Sequence, residues 1–296
     1  MSMQTIREAF LQASSFLREE GCGEARQSAS LLLQSLLGWD STRFLLDWQQ
    51  PFPDSLKAKW EEWLKRRAAG EPVQYITGEQ EFCGLAFSVN PAVLIPRPET
   101  ELLAEEMIRI ANSWRLEQKE SPVLLDIGTG SGALAVAFSL HCPAWRVVAT
   151  DISPKALATA KRNAAKLGAG NIRFLQGDLL EPAIRAGVAP DIIVSNPPYI
   201  PAAEIPTLQT EVKDFEPITA LDGGADGLDC YRRLVGQLTR LERLPSVIGL
   251  ETGIGQAGKV AEMLRVTGVF ADIRIVRDLS GIDRHVIARN GNCEKC

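Results

Sequence analysis

Val123-Leu124-Leu125-Asp126-Ile127-Gly128-Thr129-Gly130-Ser131-Gly132 runs from a short apolar segment into a glycine-rich turn, and residues 133–140 continue as a helix. The order strand, glycine turn, helix gives the stretch its meaning. The glycines permit a tight turn and remove side chains that would hold a ligand away from the backbone. Taken alone the turn stays ambiguous. Gly128, Gly130 and Ala133 also satisfy the G-x-G-x-x-A spacing of dinucleotide enzymes, and a bare strand–helix turn would need glycine too.

Toward the C-terminus the alternation continues. Residues 146–150 read as a strand with Asp151 at its end. Ser153-Pro154 then supplies an N-cap and a first-turn proline for a helix through Leu157, Ala160, Ala164 and Leu167. Further strands are expected at 172–175, 191–195 and 247–251, helices near 231–241 and 255–266, and two closing strands near 270–276 and 285–288. Such alternation builds an α/β domain with a doubly wound, mostly parallel sheet.

Toward the N-terminus the period becomes helical. Ala25, Ala29, Leu32, Leu33, Leu36 and Leu37 form one stripe, and Leu56, Trp60, Trp63 and Leu64 another. Pro51, Pro53 and Asp54 mark a start between them, and Gly70 and Pro72 end the run. A small helical bundle is therefore expected over 1–74. A hairpin linker follows over 75–95, centred on Gly84, and the α/β domain occupies 96–296. That domain opens with Pro96-Arg97-Pro98-Glu99-Thr100-Glu101 and a helical stripe through Leu102, Leu103, Met107 and Ile110. The long segment 200–229 reads as an irregular, substrate-facing lid.

Bulk composition narrows the function classes. The chain has 296 residues, 45% hydrophobic and 23% charged, the balance of a soluble globular protein. Its 32 basic and 37 acidic residues leave a net charge of −5, which counts against a partner gripped through many phosphates. No apolar run is long enough for a membrane span, and the first residues lack a secretory pattern, so a cytoplasmic protein is expected. Cys22, Cys83, Cys142 and Cys230 are scattered singly. Cys293 and Cys296 form a lone C-x-x-C without the second half of a zinc site. With His141 and His285 as the sole histidines, no metal centre is expected.

Several residues are candidates for chemistry. A carboxylate at Asp151, ending the second strand, can accept from both ribose hydroxyls of a nucleoside. Asp126, inside the first strand, suits a ligand amino group or the loop's own amides. Asp178, in Gly177-Asp178-Leu179 after the third strand, can accept from a ring amino group that Leu179 would cover. At the end of the fourth strand stands Asn196-Pro197-Pro198-Tyr199. Consecutive prolines cannot continue an interior strand, so the backbone there is rigid and its carbonyls lack ladder partners. The Asn196 side-chain oxygen and the Pro197 carbonyl can each accept one hydrogen of a planar –NH2 group, with Tyr199 packed on it. That arrangement suits methyl transfer from a sulfonium nucleoside to an amide-type nitrogen, a poor nucleophile that gains most from positioning.

With these residues the sequence closely resembles the HemK/PrmC family, the peptide chain release factor N5-glutamine methyltransferases. Matching stretches are Tyr75-Ile76-x-Gly78, Glu81-Phe82, Val93-Leu94-Ile95-Pro96-Arg97-Pro98-Glu99-Thr100-Glu101, the glycine loop, Asn196-Pro197-Pro198-Tyr199-Ile200, Glu216-Pro217, Leu221-Asp222-Gly223-Gly224 with Asp226-Gly227-Leu228, and Glu251-x-Gly253. The resemblance implies S-adenosylmethionine held by Asp126, Gly128, Thr129, Gly130, Ser131, Gly132, Asp151, Asp178, Leu179 and Asn196. It implies a glutamine of the Gly-Gly-Gln motif of class 1 release factors held at 196–199 with Arg97 and Glu99. Asn196 and Pro197 would act at the reacting nitrogen, and the helical domain would dock the protein partner. Family members often carry an aromatic residue where this chain has Leu179. A glutamine methyltransferase for a ribosomal protein and an adenine-N6 nucleic-acid methyltransferase present the same –NH2 geometry and stand as alternatives. The Pro96 to Glu101 stretch favours the release-factor branch, and no direct nucleic-acid or membrane partner is expected.

Overall fold

The computed structural model describes residues 4–114 and 121–291. Cys293 and Cys296 therefore lie outside the described residues. The chain divides into two compact units, one running up to Glu79 and including Gln209–Phe215, the other comprising Gln80–Leu208 and the chain from Glu216 onward.

The first unit is helical: α1 (Ile6–Glu19), α2 (Ala25–Leu37), α3 (Ser41–Asp47), α4 (Lys57–Ala68) and α5 (Val73–Thr77). Thr5 caps α1 by accepting from the Glu8 amide while the Glu8 carboxylate takes the Thr5 amide, a reciprocal capping box. Ile6, Ala9, Phe10, Ala13 and Leu17 then fall on one buried face. They pack with Ala25, Ala29, Leu32, Leu33, Leu36, Trp60 and Trp63, so both stripes read from the sequence are core.

The second unit begins with the hairpin β1 (Glu79–Phe82) and β2 (Leu85–Ser88), followed by α6 (Pro98–Ser113). Then come β3 (Val123–Ile127), α7 (Ala133–His141), β4 (Arg146–Asp151), α8 (Pro154–Leu167), β5 (Ile172–Gln176), α9 (Glu181–Arg185) and β6 (Ile192–Ser195). The short α10 (Thr210–Lys213) belongs to the first unit, and the second resumes with α11 (Asp229–Leu238), β7 (Val247–Glu251), α12 (Ala257–Val266), β8 (Phe270–Arg277) and β9 (Asp283–Asn290). Among the described residues, seven strands form one sheet in the order β5-β4-β3-β6-β7-β9-β8. It is parallel through β7; β9 runs antiparallel to β7, and β8, antiparallel to β9, again points the same way as β7. Every residue of β3 and β7 is buried, as strands covered on both faces require. The order reverses at β3, whose neighbours β4 and β6 lie on opposite sides. A crevice at the carboxyl ends of these strands is where such sheets bind ligands. Among the described residues no helix is long and apolar enough to cross a membrane.

The segment expected as an irregular lid is more ordered than that. Ile200 forms a parallel bridge with Asp222, and the Ile200 and Gly223 amides donate to the Leu221 and Ile200 carbonyls, both at 2.9 Å. The segment thus folds back on its own start, with 3-10 turns at Ile205–Thr207 and Ile218–Ala220.

Candidate active site

Strand register assembles the site. Ile127 pairs with Thr150 on one side and Ser195 on the other, and Ser195 pairs with Leu250. The next residue along each strand, Gly128, Asp151, Asn196 and Glu251, consequently stands beside its neighbours along one edge. The Ser195 hydroxyl donates to the Ile127 carbonyl at 2.7 Å and ties the two central strand ends together.

The glycine loop is held by its neighbours. The Gly128 and Thr129 amides donate to the Thr150 carbonyl at 2.9 Å each, and the Gly130 amide donates to Asp151 Oδ2 at 2.8 Å. Gly128 and Gly130 have φ of 70° and 56°, which disfavours any side chain there. At Gly132 a Cβ would meet Ala160 Cβ at 3.1 Å, so this glycine serves close packing of the loop on α8. These bonds also weigh on the ligand. Amides already given to Thr150 and Asp151 are not a free cradle for a pyrophosphate, and a carboxylate at the loop repels one. The arrangement suits a ligand with hydroxyl and amino donors instead.

Two acidic side chains anchor that preference. Asp151 Oδ1 accepts from the Ser153 amide at 2.8 Å, and burial raises its pKa above the ordinary carboxylate value. Asp126 is fully buried. Its Oδ2 accepts from the Thr129 hydroxyl at 2.6 Å, and its Oδ1 has no partner. Burial pushes the Asp126 pKa up to about 7.

A cavity of about 390 Å3 opens at this edge, within the range of small-molecule sites. Of the residues singled out in the sequence, Arg97, Gly128, Thr129, Gly130, Ser131, Asp151, Asp178, Leu179, Asn196 and Pro198 line it. Glu99, Asp126, Gly132, Pro197 and Tyr199 stand outside its wall. The sequence did not single out Thr100, Ile152, Ile218, Cys230 or Arg233, which line it too. Asp178 is ion-paired with Arg233, so part of its acceptor capacity is taken. The Thr150 hydroxyl donates to the Leu179 carbonyl at 3.2 Å and holds that residue at φ 46°. Arg97 pairs with the buried carboxylate of Glu216, which also accepts from the Ile95 amide at 3.2 Å.

Asn196 is half-buried and Pro197 buried. The Asn196 Nδ2 donates to Thr100 Oγ1 at 3.0 Å, and the Thr100 hydroxyl donates to Glu251 Oε2 at 2.7 Å. The nitrogen end of the Asn196 amide is thereby engaged, and its oxygen is the acceptor left for a ligand. Glu251 is 1% exposed, and burial pushes its pKa up to about 7. The Tyr199 carbonyl accepts from Gln256 Nε2 at 2.8 Å, and burial pushes the Tyr199 hydroxyl up to about 12. A tyrosine so placed stays neutral and serves packing rather than proton transfer.

A family described as the PrmC N-terminal domain matches residues 8–78, and one described as a methyltransferase domain matches residues 124–215. The chain is 42% identical over 287 residues to the release factor glutamine methyltransferase of Geobacter sulfurreducens, covering 97% of each chain. It is 40% identical over 285 residues to that of Moorella thermoacetica, covering 96% of this chain and 98% of the relative. The crystal structure of the hMettl16 catalytic domain in complex with MAT2A 3'UTR hairpin 1 aligns with a TM-score of 0.56 at 16% identity, over 83% of each chain. That likeness shows the fold alone.

Proposed function

Because the chain belongs to the release factor glutamine methyltransferases, we propose that it transfers a methyl group from S-adenosylmethionine to the side-chain amide nitrogen (N5) of the glutamine in the Gly-Gly-Gln motif of class 1 peptide chain release factors. The observation that carries the reading is the Asn196 amide, tethered through its nitrogen to Thr100 at a cavity wall so that its oxygen is the free acceptor. An acceptor at that place selects a substrate –NH2 over a carbonyl or carboxylate oxygen.

The residues present fit the cofactor. Asp151 accepts one backbone hydrogen bond on each oxygen, and lone pairs remain for the two ribose hydroxyls. Asp126, buried behind the loop, accepts from the Thr129 hydroxyl and holds the loop that borders the cavity. Asp178 and Leu179 would border the adenine. S-adenosylmethionine, when bound, supplies an electrophilic methyl on a positively charged sulfur, and transfer leaves a neutral thioether, the N-methyl amide and one proton.

The protein's own contribution is positioning. Asn196 Oδ1 accepts one amide hydrogen and the Pro197 carbonyl the other, which fixes the nitrogen in plane. Both bonds strengthen as the amide hydrogens become more acidic along the reaction. Pro197 and Pro198 keep the backbone stiff, so little ordering remains to be done when substrate arrives. No strong base is required, because the proton departs after the nitrogen has lost its basicity to the new bond. Class 1 release factors act with the translation machinery, which makes the cytoplasm the place of action. Transfer of labelled methyl from S-adenosylmethionine, compared among a purified release factor, ribosomal protein, DNA and RNA, tests the reading. Labelling of the release factor is the expected result, and exclusive labelling of another acceptor would overturn it.

A further inference from the structure

We propose that Thr100 and Glu251 set the orientation of the Asn196 side-chain amide, and through it the preference of the site for an –NH2 acceptor; this rests on the glutamine-methylating reading above. Both are positioning residues. Thr100 lies in the first turn of α6 and Glu251 ends β7, beside the strand that carries Asn196. The two side chains are 5% and 1% exposed, so water does not compete for their bonds.

The direction of the bonds follows from donor counting. In its charged form, which Arg284 and Arg97 favour against the burial that raises its pKa, the Glu251 carboxylate only accepts, and a hydroxyl has one hydrogen to give. Thr100 spends that hydrogen on Glu251 Oε2 at 2.7 Å. Its oxygen can then only accept, and the one side-chain group of Asn196 that donates is Nδ2, found 3.0 Å away. Asn196 must therefore keep its nitrogen toward Thr100 and its oxygen away from it. A reversed amide would present two hydrogens to the two hydrogens of the substrate –NH2, a repulsive pairing.

The far end of the relay is itself braced. The Tyr231 hydroxyl donates to the Glu251 backbone carbonyl at 2.7 Å, and His285 Nε2 stands 3.9 Å from Glu251 Oε2. Arg97 and Arg284 favour the charged carboxylate, and Glu99 opposes it. The Thr100 bonds span 151 and 96 positions of chain, so they join three separate elements at one point.

Three variants of the full chain test the relay: Thr100→Val, Thr100→Ser and Glu251→Gln. Valine keeps the shape and removes the hydroxyl, serine restores it, and glutamine can donate to Thr100 and let the relay run backward. Two readouts are taken, exchange of the Asn196 side-chain amide hydrogens by NMR and kcat on a purified release factor. Thr100→Val should lose amide protection and about tenfold in kcat, the worth of one hydrogen bond. Affinity for S-adenosylmethionine should fall less than kcat, since Thr100 acts chiefly through Asn196 at the reacting nitrogen. Glu251→Gln should lower kcat in the same way, and Thr100→Ser should recover most of both signals. Unchanged amide protection in Thr100→Val, or a Thr100→Ser variant as impaired as Thr100→Val, would overturn the relay. Wild-type protein that shows the expected protection but methylates no release factor would overturn the parent reading and leave the relay standing.

Discussion

Gly227 lies so close to Tyr199 that a Cβ added to it would stand 2.2 Å from the Tyr199 carbonyl oxygen. Its φ is 75°. Gly223 approaches the same residue, where a Cβ would come within 2.8 Å of Tyr199 Cα, and a Cβ on Gly253 would stand 3.1 Å from its ring. The segment after the Asn-Pro-Pro-Tyr motif therefore braces that motif from the side, and it can do so only without side chains. Gly227→Ala should push the Tyr199 carbonyl off Gln256 and strain the backbone by about 1–2 kcal/mol. A fall in Tm of roughly 2–8 °C is expected, with a loss of methyl transfer. A thermal melt at wild-type Tm would show that the segment gives way freely.

Asn196→Ala removes the acceptor at the reacting nitrogen. One neutral hydrogen bond, to Thr100, is lost, which costs about 1 kcal/mol of stability. Activity should fall far more, by about 10²-fold or greater, as when one preorganised group at a reacting centre is deleted. Steady-state kinetics beside a melting curve separates the two effects. Full activity would remove Asn196 from the site.

Asp151→Ala takes away the carboxylate that holds Gly130 and Ser153 and that is proposed to bind the ribose. Cofactor affinity should weaken by about 10- to 100-fold, the worth of a charged hydrogen-bonding group. Titration calorimetry with S-adenosylmethionine checks this, and an unchanged Kd would refute the ribose role.

The Glu251 carboxyl carries a pH signature. Burial raises its pKa from 4.5 to about 7 in the folded protein. The folded state then binds more protons than the unfolded chain between those values. The stability due to this group is full below about pH 4.5 and is lost as pH rises through about 7. Asp126, raised to about 7 by its own burial, acts in the same direction. Glu251→Gln removes one of the two contributions, so the difference in Tm between variant and wild type should shift in favour of the variant from pH 5 to pH 8. A constant difference across that range would contradict the raised pKa.

Much of this architecture was legible in advance because its signals are local. The central strands at 123–127 and 247–251 are short, mostly apolar segments between turn residues, and the structure places them there. Ser153 and Pro154 announced α8 by capping chemistry alone. The five-residue α9 was missed, being too short to show a period. The segment from 200 to 229 was read as an irregular lid because the bonds that fold it back on Ile200 come from glycine turns without a repeating pattern.

The site divides in the same way. Asp151, Asn196 and the loop glycines were found because each sits at the end of a recognisable strand. Thr100 escaped notice because its importance lies in bonds to residues far along the chain. The pairing of Asp178 with Arg233 joins the turn after β5 to α11, which no local motif relates.

The central claim is that the nitrogen of a glutamine side chain receives the methyl group. Incubation of the purified protein with S-adenosylmethionine and a class 1 release factor, followed by peptide mass mapping, addresses it directly. The account predicts one added methyl on the side-chain amide of the glutamine in the Gly-Gly-Gln peptide. A methyl group on any other residue, or on nucleic acid or ribosomal protein alone, would contradict it.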